Sequence, residues 1–346
     1  MRPLGEERTW CPKANEGDNL FDRVGLGRNA SVSSRFWHLS HTYRLFFAIT
    51  GPMKNSLRYL LQILSFLILI PHATWASNSQ SLTLKTVPLV LVTEIDDALK
   101  VTDSLDLEQS MNNKQRTENV FRGMPEIFQI IKGNYARMPV IYLSNTLASQ
   151  MQVLHTKFVS DNGFPEGMML LRQNQNDTEY KINRLREIVK STQPRVMILF
   201  GTNASVDPLV YDQIKKEFPQ IVMLNYMHQI YSTKSTKYVG QPLLSGQMGY
   251  VTPIEVAIDL AAKRLITIQQ AQSLIDLLVP KIIQVASMED EQGVKGELSF
   301  PRWQDCRDFR WPPGIDAMFP DIQRDSLLNT LKSRIISRCA KPGFGG

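Results

Sequence analysis

A chain of 346 residues, 43% hydrophobic and 21% charged, can bury a sizeable core as one large domain or two ordinary ones, which excludes global disorder. Its net charge of +6 arises mostly in the first 76 residues, which hold 9 Lys and Arg against 5 Asp and Glu; beyond them 30 basic residues face 28 acidic ones. That near balance excludes a nucleic-acid footprint.

Residues 1–52 show no clear periodicity and are expected to be a leader outside the fold, ahead of a true start at Met53. From there Lys54 and Arg58 precede an apolar stretch, Leu60 to Ile70, which Pro71 breaks before the small residues Thr74 and Ala76. This is the grammar of a secretory signal peptide of bacterial type over 53–76, cleaved at Ser77. A periplasmic or secreted protein with no transmembrane segment after cleavage is therefore expected; an uncleaved signal anchor is the alternative. There is no lipobox cysteine. Cys11 falls in the discounted leader, which leaves Cys306 and Cys339 as an even pair in an oxidising compartment, and a disulfide between them is expected.

The span 77–240 reads as one domain. Short apolar, β-branched runs stand at Val87–Thr93, Met138–Ser144, Arg195–Gly201 and Ile221–Asn225, each ending where polar residues begin. Between them Thr117–Lys132, Thr146–Phe158, Tyr180–Lys190 and Asp207–Phe218 carry apolar residues three or four apart, as in Ile182, Leu185, Ile188 and Val189. The alternation predicts an α/β three-layer sandwich with a mostly parallel, Rossmann-like sheet. Open sheets of this kind bind ligands beyond the carboxyl ends of their strands, so Glu94, Asp96, Ser144, Thr202 and Asp207 are expected in one crevice.

The span 241–346 reads as a helical extension. Thr252-Pro253-Ile254-Glu255 is a capping box, and Thr267 with Gln270 repeats the spacing ahead of a helix expected to be interrupted at Pro280. Beyond Met288 an aromatic, proline-containing stretch around Cys306 precedes a last amphipathic segment, Ile322 to Ile336.

An ordered set of motifs runs through the first of these spans. The first strand ends in Glu94-Ile95-Asp96-Asp97-Ala98-Leu99-Lys100, followed by Gly123-Met124-Pro125-Glu126, Ser144-Asn145, Phe164-Pro165-Glu166-Gly167 with Leu171-Arg172, Lys181, and Gly201 to Pro208. In this order they resemble the catalytic domain of the actin-patch-associated phosphatidate phosphatases and their bacterial relatives, a haloacid-dehalogenase-like family. The resemblance covers Val87 to about Tyr231.

It implies a magnesium-dependent phosphomonoesterase acting on phosphatidate or another phosphorylated small molecule or lipid, with possible contact at a membrane surface. Glu94, Asp96, Ser144 and Lys181 would be catalytic; Glu94, Asp96 and Asp207 would hold magnesium; Ser144, Asn145 and Lys181 would bind the phosphoryl oxygens. The chemistry asks for such groups: one carboxylate attacks phosphorus, a second protonates the leaving oxygen, and a hydroxyl and an ammonium hold the developing charge. Residues i and i+2 of an extended segment share a side, so Glu94 and Asp96 can face one phosphate.

Three residues depart from the family pattern. Glu94 stands where an aspartate nucleophile is expected, Thr202 replaces a metal-binding aspartate, and Ala98 replaces a threonine. The added methylene of Glu94 displaces its carboxylate by about 1 Å, and misplacement of that size costs on the order of 100-fold in rate. Activity is thus expected to be impaired, with a pseudophosphatase that binds a phosphorylated ligand or an envelope protein as the alternative. Taken singly, Glu94 and Asp96 could be loop carboxylates, Ser144 a strand-end hydroxyl and Asp207-Pro208 an ordinary helix start. His155 and His228 read as packing or surface residues, too few for a zinc site. Asn203-Ala204-Ser205 matches a glycosylation sequon by chance.

Overall fold

The computed structural model describes residues 88–173, 177–284, 296–312 and 326–342. Its strands are β1 (Leu89–Thr93), β2 (Val120–Phe121), β3 (Val140–Leu147), β4 (Met168–Arg172), β5 (Val196–Thr202), β6 (Val222–His228), β7 (Gln247–Tyr250) and β8 (Glu297–Leu298). Six of them form one sheet in the order β4-β3-β1-β5-β6-β7, and every pairing in it is parallel. The helices are α1 (Leu107–Lys114), α2 (Met124–Asn134), α3 (Ala148–Asp161), α4 (Asp177–Thr192), α5 (Asp207–Glu217), α6 (Pro253–Ala262), α7 (Ile268–Gln284) and α8 (Ser326–Cys339).

The period-2 alternation of β1 divides the core. Leu89 and Leu91 join one apolar cluster with Ile127, Phe128 and Phe158 and with the apolar faces of α6 and α7, whereas Val90 and Val92 join another with Leu185 of α4 and Ile214 of α5. Helices therefore cover both faces, and the expected α/β class and parallel sheet are observed. Five buried residues of β1 in succession explain why the strand reads as a continuous apolar run.

Two expected helices differ in the structure. Over 117–132 the helix starts only at Met124. Gly123 ahead of it is left-handed (φ 85°), and Val120–Phe121 pairs in parallel with β8. The spacing of Val120 and Phe121 suits a helix face, but a partner strand claims them. Nor does Pro280 interrupt α7, which runs on to Gln284. The helix survives the missing N–H because Leu274, Ile275, Leu278, Val279 and Ile282 form a buried face that spans the proline. The capping box of α6 forms as expected, with the Glu255 carboxylate accepting from Val251 N at 3.0 Å and Thr252 N at 3.1 Å.

The Cys306–Cys339 disulfide is present, tying the segment before Trp311 to the end of α8 with Cα atoms 4.7 Å apart. Among the described residues no helix is long and apolar enough to cross a membrane. The expected leader (1–52) and signal peptide (53–76) lie outside the described residues.

Candidate active site

The carboxyl ends of β1, β3 and β5 open into a cleft of about 490 Å³, lined by Glu94, Asp96, Ser144, Asn145, Arg172 and Thr202 among others. Glu94 continues the pairing of β1, donating its backbone N–H to Phe200 O at 2.9 Å, so its side chain leaves the sheet at the edge. Two residues on, Asp96 reaches the same cleft. Between them and Thr102 the chain folds back sharply: Asp97 takes a left-handed φ of 60°, and its carboxylate accepts from Thr102 N (3.0 Å), Asp103 N (2.9 Å) and Ser104 N (2.7 Å). Asp97 is thus spent on holding the loop, and burial pushes its pKa up to about 6.

Beneath the cleft, Lys181 of α4 is fully buried and donates to both Glu94 Oε2 and Asp207 Oδ1. The second oxygen of each carboxylate is also engaged, Glu94 Oε1 by Ile95 N at 2.9 Å and Asp207 Oδ2 by Thr202 N at 3.1 Å. Burial disfavours the charged form of Lys181, but the two carboxylates outweigh it and raise its pKa; the ammonium is the form present at neutral pH. Burial raises the Glu94 pKa, and Lys181 opposes that rise.

Asp96 is treated differently. Its Oδ1 accepts from Thr102 Oγ1 at 2.8 Å, while its buried Oδ2 has no hydrogen-bond partner and lies 3.7 Å from His155 Nε2. His155 Nε2 also stands 3.0 Å from Thr146 Oγ1, which is 3.1 Å from Ser144 Oγ. A chain of polar groups therefore links the unpartnered carboxylate oxygen to the Ser144 hydroxyl. Burial lowers the His155 pKa to about 4, against the pull of Asp96, so the ring is neutral at pH 7. Arg172, at the end of β4, donates from Nε to Asn145 O at 2.6 Å, fixing the loop that carries Asn145.

The structure accordingly brings Glu94, Asp96, Ser144, Asn145 and Thr202 to one cleft, with Lys181 and Asp207 directly under Glu94. Thr102 and Thr146 carry no sequence signal as neighbours of the site, Arg172 is visible only as part of the Leu171-Arg172 motif, and His155 reads from sequence as a packing or surface residue. His155 is buried, but against Asp96. Its only signal was position, one helix after the strand that ends in Ser144. His228 is also buried, with Nδ1 2.8 Å from Asp97 O and Nε2 3.2 Å from Val251 O, under the loop rather than in the cleft.

Among the described residues no group of three His, Cys, Asp or Glu side chains is placed to hold a metal ion. The donor set in this arrangement does not suit magnesium, which demands near-octahedral oxygen ligands. A carboxylate is missing at Thr202, and the Lys181 ammonium already lies between Glu94 and Asp207, where it offsets part of the charge that would attract a cation and occupies their facing oxygens.

A parallel sheet here carries two carboxylates and a serine at its carboxyl edge, with a buried lysine beneath them. Residues 89–229 match the family model for the phosphatidate phosphatase APP1 catalytic domain, so the resemblance carried by the motifs holds over that segment. No curated protein matches the chain.

Proposed function

We propose that the cleft receives the phosphomonoester end of a lipid phosphate of the phosphatidate class, and that the domain holds this group with hydrolysis strongly impaired. The matched family supplies the substrate class. The Lys181 ammonium locked between Glu94 and Asp207 carries the second half of the reading. An attacking carboxylate needs an oxygen aimed at phosphorus, and Glu94 Oε2 is drawn instead into the ion pair with buried Lys181 while Oε1 accepts from Ile95 N. Asp96, in contrast, lines the cleft outside that ion pair, with a buried Oδ2 that has no hydrogen-bond partner and lies toward His155, and it is the carboxylate proposed to exchange a proton with the ester. Ser144 and Asn145 line the cleft and would hold phosphoryl oxygens, while Lys181 would offset the carboxylate charge beneath them. Export to the periplasm or beyond is part of the same proposal, supported by the signal-like segment at 53–76 and by the Cys306–Cys339 disulfide.

The test is release of phosphate from short-chain phosphatidate and from an aryl phosphate in magnesium, comparing the wild type with Glu94→Asp, Thr202→Asp and the double variant. The reading expects the double variant to exceed the wild type by on the order of 100-fold, as the shorter carboxylate and the restored metal ligand return the ancestral geometry. Wild-type turnover equal to that of the double variant, and abolished by Asp96→Asn, would show that Glu94 is a competent nucleophile and overturn the impaired reading.

A further inference from the structure

Exposed apolar side chains stand on the segments around the cleft, uncovered by the rest of the described residues. Leu107 (78% exposed) and Met111 (64%) lie one turn apart on α1, and Lys114, which lines the cleft, continues the same stripe at the next i+3 position. The loop 232–241 stands beside them: Tyr238 donates its hydroxyl to Asp106 Oδ2, the N-cap residue of α1, at 2.7 Å, and Gln241 lines the cleft. This loop exposes Val239 (53%) and places Lys237 over the Tyr238 ring. On other cleft-lining elements, Val153 of α3 and Leu209 in the first turn of α5 are exposed as well. Of the nine large hydrophobic residues exposed among the described residues, five therefore sit on segments that border the carboxyl edge of the sheet. Scattered exposure is ordinary, but concentration around the one cleft of the site is what a docking face requires.

Charge selects the occupant. The carboxylates that line the cleft, Glu94 and Asp96, are on its floor, whereas the charged residues at its walls are the cations Lys114 and Arg172. Asp106 is turned to the Tyr238 hydroxyl and the α1 backbone, and Glu108 lies a step round the helix from the Leu107–Met111–Lys114 stripe. Apolar side chains interleaved with lysines suit the boundary between anionic headgroups and acyl chains.

We propose that this rim, built from α1 and the 232–241 loop, docks on an anionic lipid surface, with Leu107, Met111 and Val239 inserted below the headgroups and Lys114 and Lys237 among them. The proposal rests on the lipid-phosphate reading of the cleft and adds the route by which a bilayer-resident ester reaches it.

Sedimentation with phosphatidylcholine vesicles containing phosphatidylglycerol tests the face apart from the cleft, since phosphatidylglycerol has no phosphomonoester. The wild type is expected to bind these vesicles more tightly than pure phosphatidylcholine, and Leu107→Glu/Met111→Glu to lose about tenfold in affinity. Circular dichroism of that variant, with its binding of a soluble short-chain phosphatidate, should match the wild type, showing an intact fold and cleft. Undiminished vesicle binding by the double variant, no vesicle binding by the wild type, or a wild-type dimer in solution that the double variant makes monomeric would overturn the proposal, the last by assigning the face to a second copy. Failure of soluble phosphatidate to bind, with vesicle binding intact, would instead sink the reading of the cleft.

Discussion

The Lys181 ammonium is hydrogen-bonded to the Glu94 carboxylate across 87 residues of sequence, with both groups buried. Because Asp207 shares the same ammonium, removing it would leave two adjacent carboxylates in a site with little water. Lys181→Met should cost about 3–5 kcal/mol of folding stability, the usual penalty for stranding a buried charge. Urea unfolding checks this through its midpoint, and a midpoint equal to the wild type would mean that the ammonium does not hold the pair together.

The loop behind Asp96 carries a pH signature of its own. Asp103 is held in a left-handed conformation with Tyr231 donating its hydroxyl to Oδ1 at 2.7 Å, and burial pushes its pKa up to about 7. A carboxyl whose folded pKa lies above its unfolded value binds its proton more tightly when folded. The stability it contributes is complete below about pH 4 and is lost as pH rises through 7. Asparagine tolerates the same backbone and cannot ionise. Asp103→Asn should therefore gain stability relative to the wild type between pH 4 and pH 8 in thermal melts, whereas a constant difference across that range would show that Asp103 titrates as if it were exposed.

The disulfide closes a sequence separation of 33 residues and anchors α8 to the segment around Trp303. On the chain-entropy relation a loop of this size is worth about 3–4 kcal/mol. Cys306→Ala/Cys339→Ala should unfold at a correspondingly lower denaturant concentration, and addition of reductant should lower the wild type but leave the variant unchanged. Equal midpoints for oxidised wild type and variant would remove the cross-link from the stability account.

Much of this architecture is legible because β1, β3, β5 and β6 are buried runs and their ends carry an ordered motif set. The convergence of Glu94, Asp96, Ser144 and Thr202 follows from parallel strands alone. Edge strands were harder to see: Met168–Arg172 is built of Met and Leu, which suit helices equally, and Gln247–Tyr250 is short and contains a glycine. At Gly123 the backbone turn and the pairing of Val120 with a strand almost 180 residues away decide the structure, and neither is visible in local periodicity. The partners of Asp96 were hidden for the same reason, since His155 and Thr102 approach it through the packing of α3 and a folded-back loop. That Lys181 bridges Glu94 and Asp207 could not be read from spacing, because it depends on how far a glutamate reaches compared with an aspartate.

By offsetting the Glu94 and Asp207 charges, the Lys181 ammonium is proposed to let the cleft take a phosphate without a divalent cation. Calorimetric titration of short-chain phosphatidate into the wild type and Ser144→Ala, in EDTA and again in magnesium, tests this most directly. Binding that is the same within about twofold in the two media, and weakened about tenfold by the loss of the Ser144 hydroxyl, is the predicted result. Binding that appears only when magnesium is added, or that ignores Ser144, would contradict it.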